Sequence, residues 1–188
     1  TSANTSYGAG TKTVTNERQK ATTYRYRSYG DPDYQVMVGV NAAVASASVS
    51  ITLTGRDQLD SATQAGVTRR YGYNGAGYLT SVVNPETGTT TFGRDDAGNM
   101  TSRAVGSSGT TNYGYDQQNR LTSVTYPGST PTVTKTYTRT NKLRTVSTSV
   151  ASRSYLYDPN DNLTSETLTV SGIGFTTGYA YNGLDQLS

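Results

Sequence analysis

Aromatic and aliphatic side chains recur at fixed positions in the second part of the chain. The segments YGYNGAGYLTSV, YGYDQQNRLTSV and YLYDPNDNLTSE begin at Tyr71, Tyr113 and Tyr155. In each, two aromatic positions two residues apart precede a polar stretch, and a leucine then begins a second alternating stretch. Residues two apart on a strand share one face of the sheet. The pattern therefore predicts two β-strands joined by a short turn, with the aromatic pair and the leucine facing one interior.

The polar stretch has the residue types of a tight turn. An Asn or Asp follows the second aromatic position, and its side chain can accept a hydrogen bond from a backbone N–H two residues on. Three residues later comes Gly, Asn or Asp, the types that most readily adopt a positive φ. A type I turn closed by a left-handed residue is a common route through a short hairpin. Each polar stretch is therefore predicted to reverse the chain.

Alignment on the first aromatic residue gives the spacing of the repeat. The units begin at Tyr71, Phe92, Tyr113, Tyr137, Tyr155 and Tyr179, at intervals of 21, 21, 24, 18 and 24 residues. In this alignment the unit at Tyr137, YTRTNKLRTV, is two turn residues short, which predicts a tighter turn or a change of register. The residues predicted to form the structural repeat are the aromatic pairs, the turn residues and the aliphatic residue that starts the return strand: Tyr71, Tyr73, Asn74, Gly77, Leu79, Phe92, Asp95, Gly98, Met100, Tyr113, Tyr115, Asp116, Asn119, Leu121, Tyr155, Tyr157, Asp158, Leu163, Tyr179, Tyr181 and Asn182.

A second kind of turn separates the units and fixes the fold class. Stretches such as NPETG and GSSG, which begin at Asn84 and Gly106, are rich in turn-forming residues. Hairpin turns at both ends predict a continuous antiparallel meander. A long meander twists and coils, and stacked neighbours bury what one hairpin cannot. We predict an all-β coiled sheet, with a divergent β-rich part at 1–66 and about six hairpin units at 67–188.

The first third of the chain matches the repeat only loosely. Residues Gln35–Val40 and Ala47–Thr54 alternate apolar with polar or small residues, which predicts strands. The dipeptide Asp31-Pro32 predicts a turn. The segment Gly55–Asp60, GRDQLD, has the composition of a degenerate repeat turn that leads into the first clear unit.

Composition removes several kinds of chemistry. The chain of 188 residues has no Cys, His or Trp, which excludes disulfides, thiolate or imidazole metal sites and a Ser-His-Asp triad. The net charge of +3 does not by itself indicate nucleic-acid binding. No apolar run approaches the roughly 18 residues of a membrane span. The 16 tyrosines indicate β structure with an amphipathic interior.

The repeated Tyr-Asp-x-x-Gly/Asn-x-Leu-Thr pattern resembles the YD repeats of bacterial Rhs and wall-associated proteins, Tc-toxin shell subunits and teneurins. Tyr115-Asp116 and Tyr157-Asp158 have the signature literally, and the resemblance extends well over residues 67–188. It implies a β-sheet ribbon that coils into a hollow shell around a toxin or other cargo, or an extracellular scaffold for partner binding. The family's aspartyl self-cleavage motif has no counterpart in this chain, so none of its catalytic residues is transferred.

Four other activities are possible for the same residues, each with a simpler explanation. The tyrosines could stack on carbohydrate, but at strand spacing they more often fill an interior. The segments Arg94–Asp96 and Asp158–Asn162 superficially resemble calcium loops, yet the spacing of an EF-hand is missing. Carboxylate pairs could serve a glycoside hydrolase, but no spacing selects a pair among Asp95, Asp96, Asp116, Asp158, Asp161 and Glu166. Basic residues interleaved with tyrosine occur in nucleic-acid grooves, but here they are scattered and balanced by acids.

The sequence therefore predicts a structural protein and not an enzyme. We expect a non-catalytic segment of a YD-repeat shell that encapsulates or displays a cargo, within a longer secreted or cell-surface bacterial protein. The alternative is a carbohydrate- or protein-binding module that exposes its tyrosines. The expected partners are the rest of the shell and its cargo, with self-association through edge strands and a glycan as further possibilities. No cofactor, metal or nucleic acid is expected.

Overall fold

The structure, a computed structural model, describes residues 4–8, 10–28 and 35–187. These residues form β-strands, turns and one 3₁₀ turn at Ala45–Ala47. The predicted all-β antiparallel meander is confirmed, including strands over Gln35–Asn41 and Val49–Leu53. The predicted turn at Asp31-Pro32 lies outside the described residues.

The chain divides into two compact units, Thr1–Thr91 and Phe92–Ser188. In the first unit, each strand pairs antiparallel with the next along the sequence. Its strands are β1 Asn4–Gly8, β2 Thr11–Thr15, β3 Ala21–Ser28, β4 Gln35–Asn41, β5 Val49–Leu53, β6 Leu59–Gln64, β7 Val67–Tyr73, β8 Leu79–Asn84 and the first part of β9 Gly88–Arg94.

The second unit continues the same pattern of neighbouring antiparallel strands. An isolated bridge between Tyr181 and Leu187 begins one further hairpin. Its complete strands are β10 Met100–Val105, β11 Thr110–Tyr115, β12 Leu121–Thr125, β13 Val133–Tyr137, β14 Leu143–Ser147, β15 Ala151–Tyr157, β16 Leu163–Val170 and β17 Ile173–Gly178. The predicted division at residues 66 and 67 stays a prediction.

The sheet has little fully buried interior. In the described part of the chain, Val124 is the one hydrophobic side chain that is classed as buried, with 9% of its surface exposed. Val124 lies directly opposite Tyr113 in the pairing of β11 with β12. Most other strand residues are half-buried. Contacts between neighbouring strands therefore supply most of the packing that these residues have.

The two ends of the strands have turns of different character. In the second unit, the turns that follow the second repeat position have five residues each, as at 116–120 and 138–142. The connections at the opposite ends vary, from two residues at Ser171-Gly172 to seven at 126–132. In this unit the repeat is therefore strict at one edge of the sheet and permissive at the other.

The prediction of a short unit at Tyr137 was wrong. Tyr137 pairs with Leu143 and ends β13, so it occupies the second aromatic position and not the first. The turn at 138–142 has the full five residues, and the register shift before Tyr137 is the one found in the other units. The alignment was displaced because Lys135 occupies the first position of this unit, where the other units have an aromatic residue.

Candidate functional site: the repeated hairpin

The turn at Asp158 shows the geometry of the repeat. The Asp161 N–H donates to the Asp158 carbonyl at 3.0 Å, and the Asp158 N–H donates to the Asn162 carbonyl at 3.0 Å. The Asp158 Oδ1 atom accepts the N–H groups of Asn160 and Asn162, each at 2.9 Å. One carboxylate thus satisfies two backbone donors that the turn would otherwise leave without a partner.

The same pair of backbone hydrogen bonds recurs along the described chain. In every case the first turn residue has a side-chain oxygen that accepts a backbone N–H four residues on. Aspartate, asparagine and threonine can each fill this position, since each presents an acceptor one or two bonds from Cβ. These first residues are Asn16, Thr54, Asn74, Asp95, Asp116, Thr138, Asp158 and Asn182.

The fourth residue of each turn has a left-handed backbone. The φ angle is +88° at Gly77, +86° at Gly98, +60° at Asn119, +65° at Asp161 and +58° at Asp185. Glycine adopts this conformation without steric cost, and Asn and Asp tolerate it better than other residues. The structure therefore places the predicted turn residues where chain reversal requires them.

A β-bulge sets the position of the second aromatic residue. Tyr73 pairs with Leu79 and Tyr157 with Leu163, and in each hairpin the register shifts just before the tyrosine. The shift brings each tyrosine directly opposite the leucine that begins the return strand. Bulges raise the local twist and re-aim side chains. In these hairpins the bulge therefore places aromatic and aliphatic residues together at the start of the turn.

Four of the tyrosines at this position also bond to the preceding hairpin. The hydroxyl of Tyr157 donates to the carbonyl of Leu143 at 2.8 Å, and that of Tyr137 donates to the carbonyl of Leu121 at 2.8 Å. Tyr73 and Tyr115 make the same bond, at 3.0 Å, to the residue that starts the preceding return strand. The acceptors are Leu59 for Tyr73 and Met100 for Tyr115. The second aromatic position therefore links successive units through the backbone.

The remaining repeat residues are placed as follows. The first-position rings of Tyr71, Phe92, Tyr113, Tyr155 and Tyr179 are half-buried. Arg94 occupies the second position in its unit, and its Nη1 donates to the carbonyl of Gly98 at 3.1 Å. The exposed tyrosines of the described chain are Tyr78 and Tyr126, which lie outside the paired aromatic positions. No row of exposed repeat rings supports the glycan-binding alternative.

Hydrogen bonding to the turns lowers the pKa of three aspartates. The Asn99 amide side chain holds the pKa of Asp95 below its ordinary value. Partial burial opposes this effect at Asp116, but hydrogen bonds from Arg120 outweigh it and lower the pKa. The Asn162 N–H lowers the pKa of Asp158. All three carboxylates are therefore stabilised as anions, which suits turn acceptors and not general acids.

Burial also affects Tyr157, the second aromatic residue of the unit that begins at Tyr155. Partial burial, reinforced by the charges of Tyr155 and Asp161, raises the pKa of Tyr157. A raised pKa keeps the phenol protonated, which is the form that donates to the Leu143 carbonyl. The hydroxyl is thus held as a donor well beyond neutral pH.

The calcium alternative gains no structural support. Among the described residues, no group of three or more acidic side chains is placed to hold a metal ion. The carboxylate of Asp158 is turned back onto its own backbone. Within the same part of the chain, no helix has the length and apolar character needed to cross a bilayer.

Sequence reasoning missed one turn, at Asn16, and misplaced another. The turns at Asn16 and Thr54 have the same backbone bonds as those at the aspartates, although no tyrosine precedes them, and Thr54 opens the segment expected to be a degenerate turn. Thr138 opens the turn of the misaligned unit. A search for any Asn, Asp, Ser or Thr followed three residues later by a left-handed candidate, and five later by an aliphatic residue, finds Thr54 and Thr138. Asn16 escapes this search, because Gln19 and Ala21 fit it poorly.

Comparison with known families and structures gives a consistent result. The family model described as teneurin YD-shell matches residues 65–187. No curated protein sequence matches the chain. The resemblance to YD-repeat proteins that the sequence indicated is thereby confirmed.

Solved structures of other proteins share the fold. The Photorhabdus luminescens Tc holotoxin pore has 14% sequence identity and a TM-score of 0.60, with 98% of this chain and 11% of that chain covered. The crystal structure of TcdB2-TccC3-TEV has 13% identity and a TM-score of 0.61, with 94% and 13% covered. That of TcdB2-TccC3-Cdc42 has 14% identity and a TM-score of 0.58, with 94% and 11% covered. The chain spans about an eighth or less of these proteins, and at such identity the likeness concerns the fold alone.

Proposed function

Because the chain belongs to the teneurin YD-shell family, we propose that it is a non-catalytic wall segment of a larger shell. The wall encapsulates or displays a toxin or another cargo in a secreted or cell-surface bacterial protein. Its partners are the neighbouring wall segments and the enclosed cargo domain. This role requires a stable, extended sheet and no reactive group.

The use of the recurring side chains within the fold supports this proposal. The tyrosine hydroxyls bond to backbone carbonyls of the preceding hairpins, as Tyr137 does to Leu121. The carboxylates of Asp116 and Asp158 accept backbone N–H groups of their own turns. Residues engaged in this way hold neighbouring strands together, and they are not free to bind or transform a substrate.

The relatives of similar fold support the assignment of a cargo. One structure of similar fold is a Tc holotoxin pore, and two others are described as TcdB2-TccC3-TEV and TcdB2-TccC3-Cdc42. A segment of the same fold is suited to the same kind of assembly. The described strands have many half-buried residues and almost no buried hydrophobic ones, which suits a thin wall better than a compact globular core.

Limited proteolysis of the full-length parent protein tests the enclosing role. The cargo domain should resist protease in the wild-type protein and become sensitive when the wall is weakened by Tyr137→Ala. The matched control is Tyr126→Ala, because Tyr126 is exposed in a connection between strands. A cargo that is digested equally fast in all three proteins contradicts enclosure.

A second measurement tests the absence of catalysis. Self-processing of the parent protein should be unchanged by Asp95→Asn, Asp116→Asn or Asp158→Asn, because each side chain keeps an oxygen acceptor for its turn. Loss of processing in one of these variants, with the other two active, would assign that aspartate a chemical role.

A further inference from the structure

Neighbouring repeat turns in the second unit contact each other through one particular position. The Asn99 Nδ2 atom donates to Asn119 Oδ1 at 2.8 Å, and the Thr140 Oγ1 atom donates to Asp161 Oδ1 at 2.7 Å. In both contacts the acceptor is the left-handed fourth residue of the following turn. The donor comes from the preceding turn in the sequence. The contacts therefore have a consistent direction along the array.

Two further links follow the same rule. The Arg120 Nη1 atom donates to Asn141 Oδ1 at 2.7 Å. The Asp185 Oδ1 atom accepts both Asn160 Nδ2, at 3.0 Å, and Asn162 Nδ2, at 2.9 Å. The acceptors Asn141 and Asp185 again have positive φ, at +66° and +58°. Four successive links in this unit thus use the side-chain oxygen of the left-handed residue.

A glycine at this position gives a different link. In the first unit the Gln58 Nε2 atom donates to the carbonyl of Gly77 at 2.7 Å. The preceding turn also reaches this turn through Arg56, which donates to the carbonyl of Gly75. With no side-chain oxygen available, the backbone of the later turn becomes the acceptor.

Arg120 shows how strongly a donor can be held. Its guanidinium forms an ion pair with Asp116 of its own turn at 2.7 Å. It also donates to the Thr138 carbonyl at 3.2 Å and lies over the Tyr137 ring, 4.8 Å from the centroid. Planar guanidinium groups combine such hydrogen bonds with stacking. The side chain of Arg120 therefore spans from its own turn to the next.

We propose that the left-handed residue of each repeat turn is a positioning residue that holds the preceding turn in place. Its residue type determines whether the hydrogen bond from that turn is accepted by a side-chain oxygen or by a backbone carbonyl. Asn and Asp provide a side-chain oxygen, whereas Gly provides only the backbone. In the second unit the sequence has Asn or Asp at four of these positions, Asn119, Asn141, Asp161 and Asp185, although Gly adopts positive φ with less strain. The inter-turn acceptor gives a reason for this choice. The inference concerns contacts within the chain and holds whatever the wall encloses.

Site-resolved hydrogen exchange on the complete chain tests the proposal. Asp161→Gly keeps the turn, because glycine favours φ near +65°, but it removes the acceptor of Thr140. The amides of Asn141 and Lys142, in the preceding turn, should exchange about threefold to tenfold faster, the factor expected from one ordinary hydrogen bond. Asp161→Asn retains an acceptor and should restore the wild-type rates. Thr140→Val should reproduce the Asp161→Gly effect from the donor side.

The control is Ala65→Gly, which replaces a left-handed residue that has no side-chain acceptor. It should not accelerate exchange at any neighbouring turn. The proposal is overturned if Asp161→Gly accelerates only its own turn, at 158–162, and leaves Asn141 and Lys142 unchanged. It is equally overturned if Asp161→Asn behaves like Asp161→Gly, since the acceptor oxygen would then be irrelevant.

Discussion

The hydroxyl of Tyr157 donates a hydrogen bond to the backbone carbonyl of Leu143, 2.8 Å away in the preceding hairpin. The donor lies at the end of β15 and the acceptor at the start of β14. The bond thus joins two neighbouring hairpins at the sheet edge where their repeat turns lie. A tyrosine can make this link and phenylalanine cannot, although both rings pack equally well.

We predict that Tyr157→Phe lowers the free energy of unfolding by about 1 kcal/mol, the usual net worth of one hydrogen bond. The ring remains, so its packing is preserved. Urea denaturation followed by circular dichroism measures the change. Tyr155→Phe is the control, because the hydroxyl of Tyr155 has no hydrogen bond to any residue that the structure describes. Equal effects of the two substitutions would argue against the inter-hairpin bond.

Acid should weaken the sheet through its turn aspartates. The pKa values of Asp95, Asp116 and Asp158 are lowered in the folded chain, whereas in the unfolded chain they lie near about 4. Their contribution to stability is therefore complete above about pH 4 and is lost as the pH falls through the lower folded values. The urea concentration at the midpoint of unfolding, measured from roughly pH 7 down to pH 2, should therefore decrease as the pH falls below about 4.

A pair of substitutions isolates the effect to one turn. Asp158→Asn should lower the free energy of unfolding at neutral pH. The difference from the wild type should become smaller in acid, because the neutral amide does not titrate. Asn74→Asp should raise the free energy of unfolding at neutral pH, and this gain should be lost in acid. The reason is that Asn74 accepts the two equivalent backbone N–H groups of its own turn, at 3.1 and 2.9 Å. Parallel pH profiles for the wild type and both variants would contradict this explanation.

Two glycines distinguish backbone strain from packing. Gly109 and Gly88 have φ angles of +88° and +80°. A Cβ at Gly109 would come within 2.5 Å of the Pro127 ring, whereas at Gly88 it would meet nothing within 4 Å. Gly88→Ala should cost about 1–2 kcal/mol from the left-handed backbone. Gly109→Ala should cost about 1–3 kcal/mol more from overpacking.

Thermal or urea denaturation of the two alanine variants measures these costs. Adding Pro127→Gly to Gly109→Ala should recover the packing part and leave the strain. If Gly109→Ala and Gly88→Ala lower the free energy of unfolding by the same amount, the contact with Pro127 does not contribute to stability.

Self-association of the isolated chain remains a prediction, and β17 is the place to test it. Phe175 and Ile173 are 61% and 63% exposed. Phe175 pairs with Leu168 and Ile173 pairs with Val170, so the exposed side chains extend an apolar face. We expect a second copy of the chain to cover this face and to pair with an exposed strand edge. Phe175→Thr should weaken association in sedimentation velocity experiments. Leu156→Thr, on the opposite face and 62% exposed, is the control. A concentration-independent monomer would contradict the prediction.

The sequence was sufficient for the fold because its strongest signals are local. The Asn or Asp of each turn, the left-handed residue and the returning leucine all act within about six positions. The alternation of Tyr155, Leu156 and Tyr157 gave the strands for the same reason. The aromatic start was a poorer guide, and it displaced the unit at Tyr137 because Lys135 fills the corresponding position.

Contacts between turns could not be predicted in this way. Asn99 meets Asn119, and Thr140 meets Asp161, across 20 and 21 residues of chain. Which turn lies beside which depends on the register of the strands between them. The link from Tyr157 to Leu143 has the same dependence on register. A single sequence shows suitable donors and acceptors, but only the folded sheet shows which of them meet.

The connection at 126–132 joins β12 to β13 through seven exposed residues, at the edge where loop length varies. Because the five-residue repeat turns of the second unit lie at the other edge of its strands, we expect length changes here to leave the register of those turns undisturbed. A foreign peptide grafted between Gly128 and Thr130 would hence be displayed on one rim while the rest of the scaffold folded as before.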